Sequence, residues 1–171
     1  MNEIGYSPKN LHFGNEGRNK LINGIEAISN AVKSTLGPSG QTVLIESPSH
    51  THGITVTKDG VTVAKSVDLL DPVENLAVRM MKEAADRTAT SAGDGTTTAI
   101  VLTEQLVLEG ERLIRHKANK TEVLRELVQN TKDIVSQLEK MSRAVTKGRL
   151  RDVATISSNN DTHIGGIISK V

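Results

Sequence analysis

Apolar residues recur every three or four positions in four long stretches of the chain, a spacing typical of amphipathic helices. The first stretch starts at Glu16, and its apolar face consists of Leu21, Ile25, Ile28, Val32 and Leu36. Gly37-Pro38 should end this helix, because glycine accepts the left-handed conformation and proline cannot continue the hydrogen bonds. The pattern therefore predicts a long helix followed by a turn at Gly37.

The same spacing predicts three further long helices. Asp71-Pro72-Val73-Glu74 combines an N-cap aspartate, proline at the first helical position and glutamate at the third, and the stripe after it continues to about Thr90. The next helix begins at Thr96 and is apolar on more than one face, which predicts a central place in the bundle. Asn119 with Glu122 is a capping pair ahead of the fourth helix.

Short β-prone segments complete the pattern. Thr42–Ile45 and Ile54–Thr57, joined by the loop Glu46–Gly53, predict a long-looped hairpin, and Leu11–Phe13 has the alternation of a very short strand. Val61–Val67 fits either a helix or a strand. The expected fold class is mainly α, a multihelical bundle with a small β-hairpin and a short N-terminal strand.

Composition narrows the classes of function. The 171 residues include only two aromatic side chains, Tyr6 and Phe13, so stacking platforms for single-stranded nucleic acid are absent. The net charge of +1 gives no general attraction to nucleic acid or anionic lipid. The chain has no cysteine and no apolar run near the ~20 residues that span a bilayer. We expect a cytoplasmic protein without a membrane segment, and His50 with His52 makes a poor metal site.

The segment with the clearest chemistry is AGDGTTTA, residues 92–99. A helix start presents free N–H groups and the positive end of a dipole, which favour phosphate, and Gly93 and Gly95 let the backbone approach closely. Thr96–Thr98 add hydroxyl donors, and Asp94 suits a bridging Mg²⁺. An alternative is purely local, with Asp94 as an N-cap and Gly95 as a turn residue. The spacing matches neither a Walker A loop nor a dinucleotide fingerprint.

Two other segments carry alternatives of the same kind. TLGPSGQ, residues 35–41, is a second glycine-rich turn that is also an ordinary helix C-cap when taken alone. Five basic residues and no acidic one fall between Lys140 and Arg151. That run is suited to phosphate contact, although a solvated connector is the simpler interpretation.

Five motifs in this order, FGNEGRNKL, TLGPSGQTV, TKDGVTVA, AGDGTTTA and ATISSNND, resemble the N-terminal part of group I chaperonins over nearly the whole chain. The resemblance implies an ATP-dependent folding chaperone that forms a double-ring homo-oligomer and works with a co-chaperonin on unfolded polypeptides. It further implies that residues 1–142 are the first half of the equatorial ATP-binding domain. Residues 143–171 would be a connector and the start of the intermediate domain, while the apical domain and second equatorial half have no counterpart.

The resemblance also implies ATP and Mg²⁺ as cofactors. Asp94 matches the family's Mg²⁺ ligand, and Asp59 matches an acidic residue near the γ-phosphate, which makes it the candidate catalytic residue. The positions that match nucleotide-binding residues are Thr35, Leu36, Gly37, Pro38, Lys58, Asp94, Gly95, Thr96, Thr97, Thr98, Ile156 and Ser157.

The chain departs from the family pattern in three ways. Ser39-Gly40-Gln41 replaces the usual Lys-Gly-Arg, the Glu46–Gly53 loop looks longer, and the second catalytic aspartate has no counterpart. We therefore expect this polypeptide alone to associate into oligomers, to hydrolyse ATP negligibly and not to refold clients. The alternative function is a non-catalytic helical module that modulates a complete chaperonin or contacts nucleic acid through Lys140–Arg151.

Overall fold

The structure is a computed structural model that describes residues 9–46, 53–116, 118–158 and 160–170. These residues form two compact units, Met1–Ala118 and Asn119–Val171. The first unit contains α1 (Gly14–Lys33), β1 (Val43–Glu46), β2 (Ile54–Thr57), α2 (Gly60–Ser66), α3 (Pro72–Ala92) and α4 (Thr96–Arg115). The second contains α5 (Lys120–Met141), α6 (Lys147–Ser157) and α7 (Thr162–Ile168). The prediction of a mainly helical fold with a small hairpin is confirmed.

The core of the first unit lies where its four helices meet. Its buried side chains are Ile28, Val32, Val63, Ala64, Val78, Met81, Ala85 and Ile100. The α1 and α3 backbones come unusually close at Gly24, where an added Cβ would lie 2.2 Å from the carbonyl oxygen of Glu74. The described core, which contains no aromatic side chain, is thus formed by close helix approach and aliphatic packing.

The predicted start of α3 is confirmed in detail. The Asp71 carboxylate accepts hydrogen bonds from the N–H groups of Val73 and Glu74, and Pro72 occupies the first helical position. Lys20 of α1 donates to the same carboxylate at 2.6 Å. The hydrogen bond from Lys20, followed by those from the two backbone N–H groups, lowers the pKa of Asp71 to about 2. This one aspartate thus caps α3 and ties it to α1.

The hairpin also follows the prediction. Its strands are antiparallel, with Val43 opposite Thr57 and Glu46 opposite Ile54. The side chains of Val43 and Ile45 pack against the helical core, as the alternation requires. Part of the connecting loop, residues 47–52, lies outside the described residues, and with it the histidines at positions 50 and 52. The ambiguous segment after the hairpin is helix α2.

Two expectations about apolar segments are wrong. Leu11–Phe13 is not a strand, because no partner strand lies beside it among the described residues, and Phe13 is instead the exposed N-cap position of α1. The helix at Thr96 is not central: Ile100 is fully buried, but Leu102 and Leu106 are more than half exposed. These two side chains lie on a face of α4 turned away from the described core.

The second unit is less well packed. Helix α5 has no buried residue, and it begins after Asn119, whose side chain accepts from the N–H of Thr121, as the predicted capping site requires. Helices α6 and α7 pack closely at Gly165, where a Cβ would lie 2.1 Å from Thr155 Oγ1. Within the described residues, no helix combines the length and apolarity that crossing a membrane requires.

Candidate phosphate and metal site

Three segments that are distant in sequence line one cleft in the first unit. The turn after α1 contributes Thr35, Leu36 and Gly37, the entry to α2 contributes Lys58, Asp59 and Gly60, and the start of α4 contributes Asp94, Gly95, Thr96, Thr97 and Thr98. The cleft encloses about 270 Å³. Every lining residue except Gly60 was selected from the sequence as a site residue. The fold therefore brings together motifs whose separate meanings were ambiguous.

The start of α4 is built by two left-handed glycines around one aspartate. Gly93 ends α3 at φ 74°, and Gly95 occupies the N-cap of α4 at φ 83° with no side chain capping the helix. Asp94 is exposed, and its Oδ1 accepts a hydrogen bond from the N–H of Gly95 at 2.6 Å. The alternative in which Asp94 caps α4 is therefore wrong. The first N–H groups of α4 have no side-chain cap, and a carboxylate lies beside them.

The three threonines at the start of α4 are not equivalent. Thr96 is only 8% exposed, Thr97 is partly buried, and Thr98 is exposed. A ligand that enters from solvent therefore meets the Thr98 hydroxyl most readily. The sequence alone predicts all three hydroxyls as donors to phosphate.

Asp59 is held in place by hydrogen bonds within helix α2. It is the N-cap of α2, where its carboxylate accepts from the N–H groups of Val61 and Thr62 and from the Thr62 hydroxyl at 2.6 Å. Partial burial raises the pKa of Asp59, but the hydrogen bonds from Thr62 and Val61 outweigh that effect and hold its pKa below the usual value. Asp59 is thus an ionised, oriented carboxylate at the wall of the cleft, next to the exposed Lys58.

The turn after α1 is closed by its own backbone. The N–H of Gln41 donates to the carbonyl of Ser34 at 2.7 Å, and Gly37 takes the left-handed conformation at φ 74°. Thr35 donates its hydroxyl to the Val32 carbonyl at 2.8 Å. Pro38 is exposed in this turn but is not among the residues that line the cleft. The turn therefore presents mainly backbone, and Leu36 is its largest side chain at the cleft.

Ile156 and Ser157 lie in the second compact unit. They are the last two residues of α6, and both are exposed. Ile156 lines a shallow cleft of that unit together with Arg151, Asp152, Thr155 and Thr162. Their approach to the nucleotide stays a prediction, as does any phosphate contact by the Lys140–Arg151 run.

The residues of the first-unit cleft suit a phosphate with a divalent cation. Uncapped N–H groups, a hydroxyl and an ammonium group attract phosphate oxygens, and exposed Asp94 offers a hard oxygen ligand. No group of three His, Cys, Asp or Glu side chains forms a metal site in the described ranges. Mg²⁺ characteristically uses one or two carboxylates and completes its shell with phosphate oxygens and water, so a single aspartate is sufficient.

Sequence reasoning missed two features close to this site. Gly60 lines the cleft, although the sequence marks it only as part of the motif TKDGVTVA and not as a site residue. Lys33 of α1 forms an ion pair with the buried Glu104 of α4. A lysine two residues before Thr35 gave no signal, because its partner is distant in sequence.

Comparison with known proteins supports the chaperonin family to which the sequence motifs point. Residues 28–170 match the model of the TCP-1/cpn60 chaperonin family. The fold is similar to the chaperonin gp146 from bacteriophage EL 2 (Pseudomonas aeruginosa), solved in the presence of ATP-BeFx, with 32% identity, a TM-score of 0.79 and coverage of 92% of this chain and 28% of gp146.

A second crystal form of gp146 matches at 31% identity with a TM-score of 0.78. A group III chaperonin in the open state matches at 26% identity with a TM-score of 0.76, over 91% of this chain and 31% of that one. The chain thus spans less than a third of the length of these solved chaperonins, whereas the family match spans most of the chain. The chain belongs to the TCP-1/cpn60 chaperonin family.

Proposed function

We propose that this chain carries a nucleotide-binding cleft of an ATP-dependent chaperonin and that the cleft binds ATP with Mg²⁺. The observation that supports this most is the meeting of three sequence motifs around the uncapped start of α4. The volume of about 270 Å³ is slightly below the range of roughly 300–1,000 Å³ that is usual for small-molecule pockets. It suits the phosphates and the ion, with the rest of the nucleotide extending along the turn after α1.

Each side chain in the cleft has a distinct task in this proposal. The N–H groups of α4 and the Thr98 hydroxyl hold phosphate oxygens, Lys58 balances their charge, and Asp94 ligates Mg²⁺. When bound, the metal neutralises charge that develops on the phosphates.

Asp59 is proposed to orient a water molecule. Its carboxylate has about four acceptor positions, and hydrogen bonds from Val61 and Thr62 occupy three of them. One position remains for a water molecule, and the depressed pKa keeps the carboxylate ionised at neutral pH. Positioning is a large part of catalysis in phosphoryl transfer, so a carboxylate fixed by its own helix is well suited to this task.

The wider activity follows from family membership and is part of the same proposal. We propose a chaperone of the group I type that assists protein folding as a ring-shaped homo-oligomer in the cytoplasm, with a co-chaperonin and unfolded polypeptides as partners. Residues 1–142 are assigned to an equatorial domain and 143–171 to the entry of an intermediate domain. Exposed apolar side chains on α4, such as Leu102 and Leu106, support association with further protein surface.

The test uses the charge of Asp94. Asp94→Asn keeps the size of the side chain and its acceptor for the Gly95 N–H but removes the negative charge that holds a cation. We expect the dissociation constant of ATP, measured by calorimetry, to rise about tenfold or more with Mg²⁺ and to change little with EDTA. Asp133→Asn removes an exposed carboxylate from α5 and is the matched control, expected to bind like the wild type.

Two results would count against the proposal. Equal loss of affinity in both buffers would mean that Asp94 does not hold the ion. A wild-type protein that binds no nucleotide, but binds duplex DNA with a steep salt dependence that is lost when the basic residues of 140–151 are replaced, would favour the nucleic-acid module instead.

A further inference from the structure

Gly60 is in close contact with the start of α4. A Cβ added at Gly60 would lie 2.0 Å from Thr97 Oγ1 and 3.3 Å from Thr97 Cβ. The first distance is far below any normal contact, so even alanine requires the two segments to move apart or Thr97 to reorient. Gly60 is also buried. The backbone of the first turn of α2 therefore lies so close to the Thr97 side chain of α4 that only a residue without a Cβ fits at position 60.

The backbone of Gly60 gives no other reason for a glycine. The positive-φ glycines among the described residues are Gly14, Gly37, Gly93 and Gly95, so Gly60 is not in the left-handed region. It is the first residue of α2, where alanine is ordinarily accepted. The need for glycine at this position comes mainly from the tertiary contact with Thr97, because the next neighbour of an added Cβ, Val32 Cγ1, would lie at the ordinary contact distance of 3.4 Å.

We propose that Gly60 and Thr97 form a positioning contact that sets the distance between the two charged walls of the cleft. The proposal rests on the proposed nucleotide site. Asp59 directly precedes Gly60 and caps α2, whereas Asp94 directly precedes Gly95, the N-cap of α4. The separation of these carboxylates is therefore fixed by how closely α2 approaches α4. A water molecule held by Asp59 reaches a phosphate on α4 only when that approach is kept.

This contact also implies that Thr97 and Thr98 have different roles. The Thr97 hydroxyl faces Gly60, so its task is to seat α2, and Thr98 supplies the exposed hydroxyl for the ligand. Loss of the Thr97 side chain should relax the contact and leave the exposed Thr98 hydroxyl in place. Loss of the glycine should separate the walls.

The experiment is a double-mutant cycle with Gly60→Ala, Thr97→Ala and the double variant. The dissociation constant of ATP with Mg²⁺ is measured for each, and the melting temperature is measured without nucleotide. We expect Gly60→Ala to weaken binding about tenfold or more, Thr97→Ala to weaken it less than Gly60→Ala does, and the double variant to bind like Thr97→Ala. The melting temperatures should follow the same order.

The matched control is Gly110→Ala in α4. A Cβ there meets nothing within 4 Å, and α4 is continuous through this position. This variant should bind ATP like the wild type and melt at the same or a higher temperature, because alanine favours helix more than glycine does. It separates the effect of the contact from the general effect of replacing a glycine.

Three results would overturn the inference. They are normal binding by Gly60→Ala, additive losses in the double variant, or a tenfold loss from Thr97→Ala alone, which would make Thr97 a direct ligand. If Gly60→Ala does not fold, the double variant measured against Thr97→Ala still decides between rescue and additivity. Wild-type protein that binds no ATP but shows coupled melting temperatures would reject the proposed function and leave the Gly60–Thr97 contact intact.

Discussion

The ion pair between Lys33 and Glu104 joins α1 to α4 and gives the most quantitative prediction about stability. Lys33 lies in the last turn of α1, just before the turn that lines the cleft, and Glu104 lies on α4 about two helical turns beyond Thr97. The Glu104 side chain is 3% exposed, whereas the Lys33 side chain is 33% exposed. The two ends of the pair are therefore unequal in their access to water.

Because the two side chains differ in exposure, removing one or the other should lower the free energy of unfolding by different amounts. Lys33→Met leaves a buried carboxylate without its counter-charge and should lower the free energy of unfolding by about 3–5 kcal/mol. Glu104→Gln leaves an ammonium group that reaches solvent, so the loss should be about 1 kcal/mol. Replacing both partners, as in Lys33→Met with Glu104→Leu, removes the desolvation cost together with the attraction and should come close to the wild type.

The measurement is urea unfolding followed by far-ultraviolet circular dichroism. Lys65→Met is the matched control, because Lys65 pairs with Asp86 at 2.9 Å while both side chains are at least half exposed. That variant should lose less than about 1 kcal/mol. Equal losses for Lys33→Met and Glu104→Gln, or a Lys33→Met loss no larger than that of Lys65→Met, would refute the reasoning from burial.

Two further predictions concern the framework of the first unit. Ile100→Ala should lower the free energy of unfolding by about 2–5 kcal/mol because Ile100 is fully buried, whereas Leu102→Ala, at an exposed position on the same helix, should cost much less; urea unfolding of both checks this. The pKa of Asp71 is depressed from 3.8 to about 2, so its contribution to stability is present above about pH 4 and is lost as the pH falls through about 2. Asp71→Asn, which keeps an N-cap acceptor, should flatten the acid limb of stability against pH, and an unchanged acid limb would contradict the assignment.

The elements that were predictable from the sequence are those with local causes. Asp71-Pro72 specifies a helix start by capping and by proline geometry, and both appear in α3. The failures have tertiary causes. Leu11–Phe13 has the alternation of a strand, but a strand exists only when a partner supplies hydrogen bonds, and alternation carries no information about a partner. Likewise, the apolar residues of α4 show how much surface is apolar but not which part the described core covers.

In the candidate site, too, features with local causes were predictable from the sequence and features with tertiary causes were not. The left-handed glycines at 93 and 95 could be recognised because such turns have a short sequence signal, whereas the role of the aspartate between them as a metal ligand stays a prediction. The requirement for Gly60 could not be recognised, since it arises from a threonine on another helix. The convergence of three segments on one cleft also could not be derived from spacing, and it was expected only through family resemblance.

The start of α4 combines local geometry with the proposed chemistry. Asp59, Asp71 and Asp161 each cap a helix with the carboxylate hydrogen-bonded to the first N–H groups. A fourth aspartate, Asp94, lies next to a helix start but is set one residue earlier, because the left-handed Gly95 takes the N-cap position. Glycine at an N-cap costs only a few tenths of a kcal/mol relative to the best capping residues. As a result, no side chain accepts a hydrogen bond from the first N–H groups of α4, and the Asp94 carboxylate lies next to these groups without capping them. A capping carboxylate would place its negative charge where a phosphate binds, whereas a displaced one can hold the cation that accompanies the phosphate. The one-residue offset of Asp94 is thus the local feature that best fits a nucleotide site and that a purely structural helix start does not require.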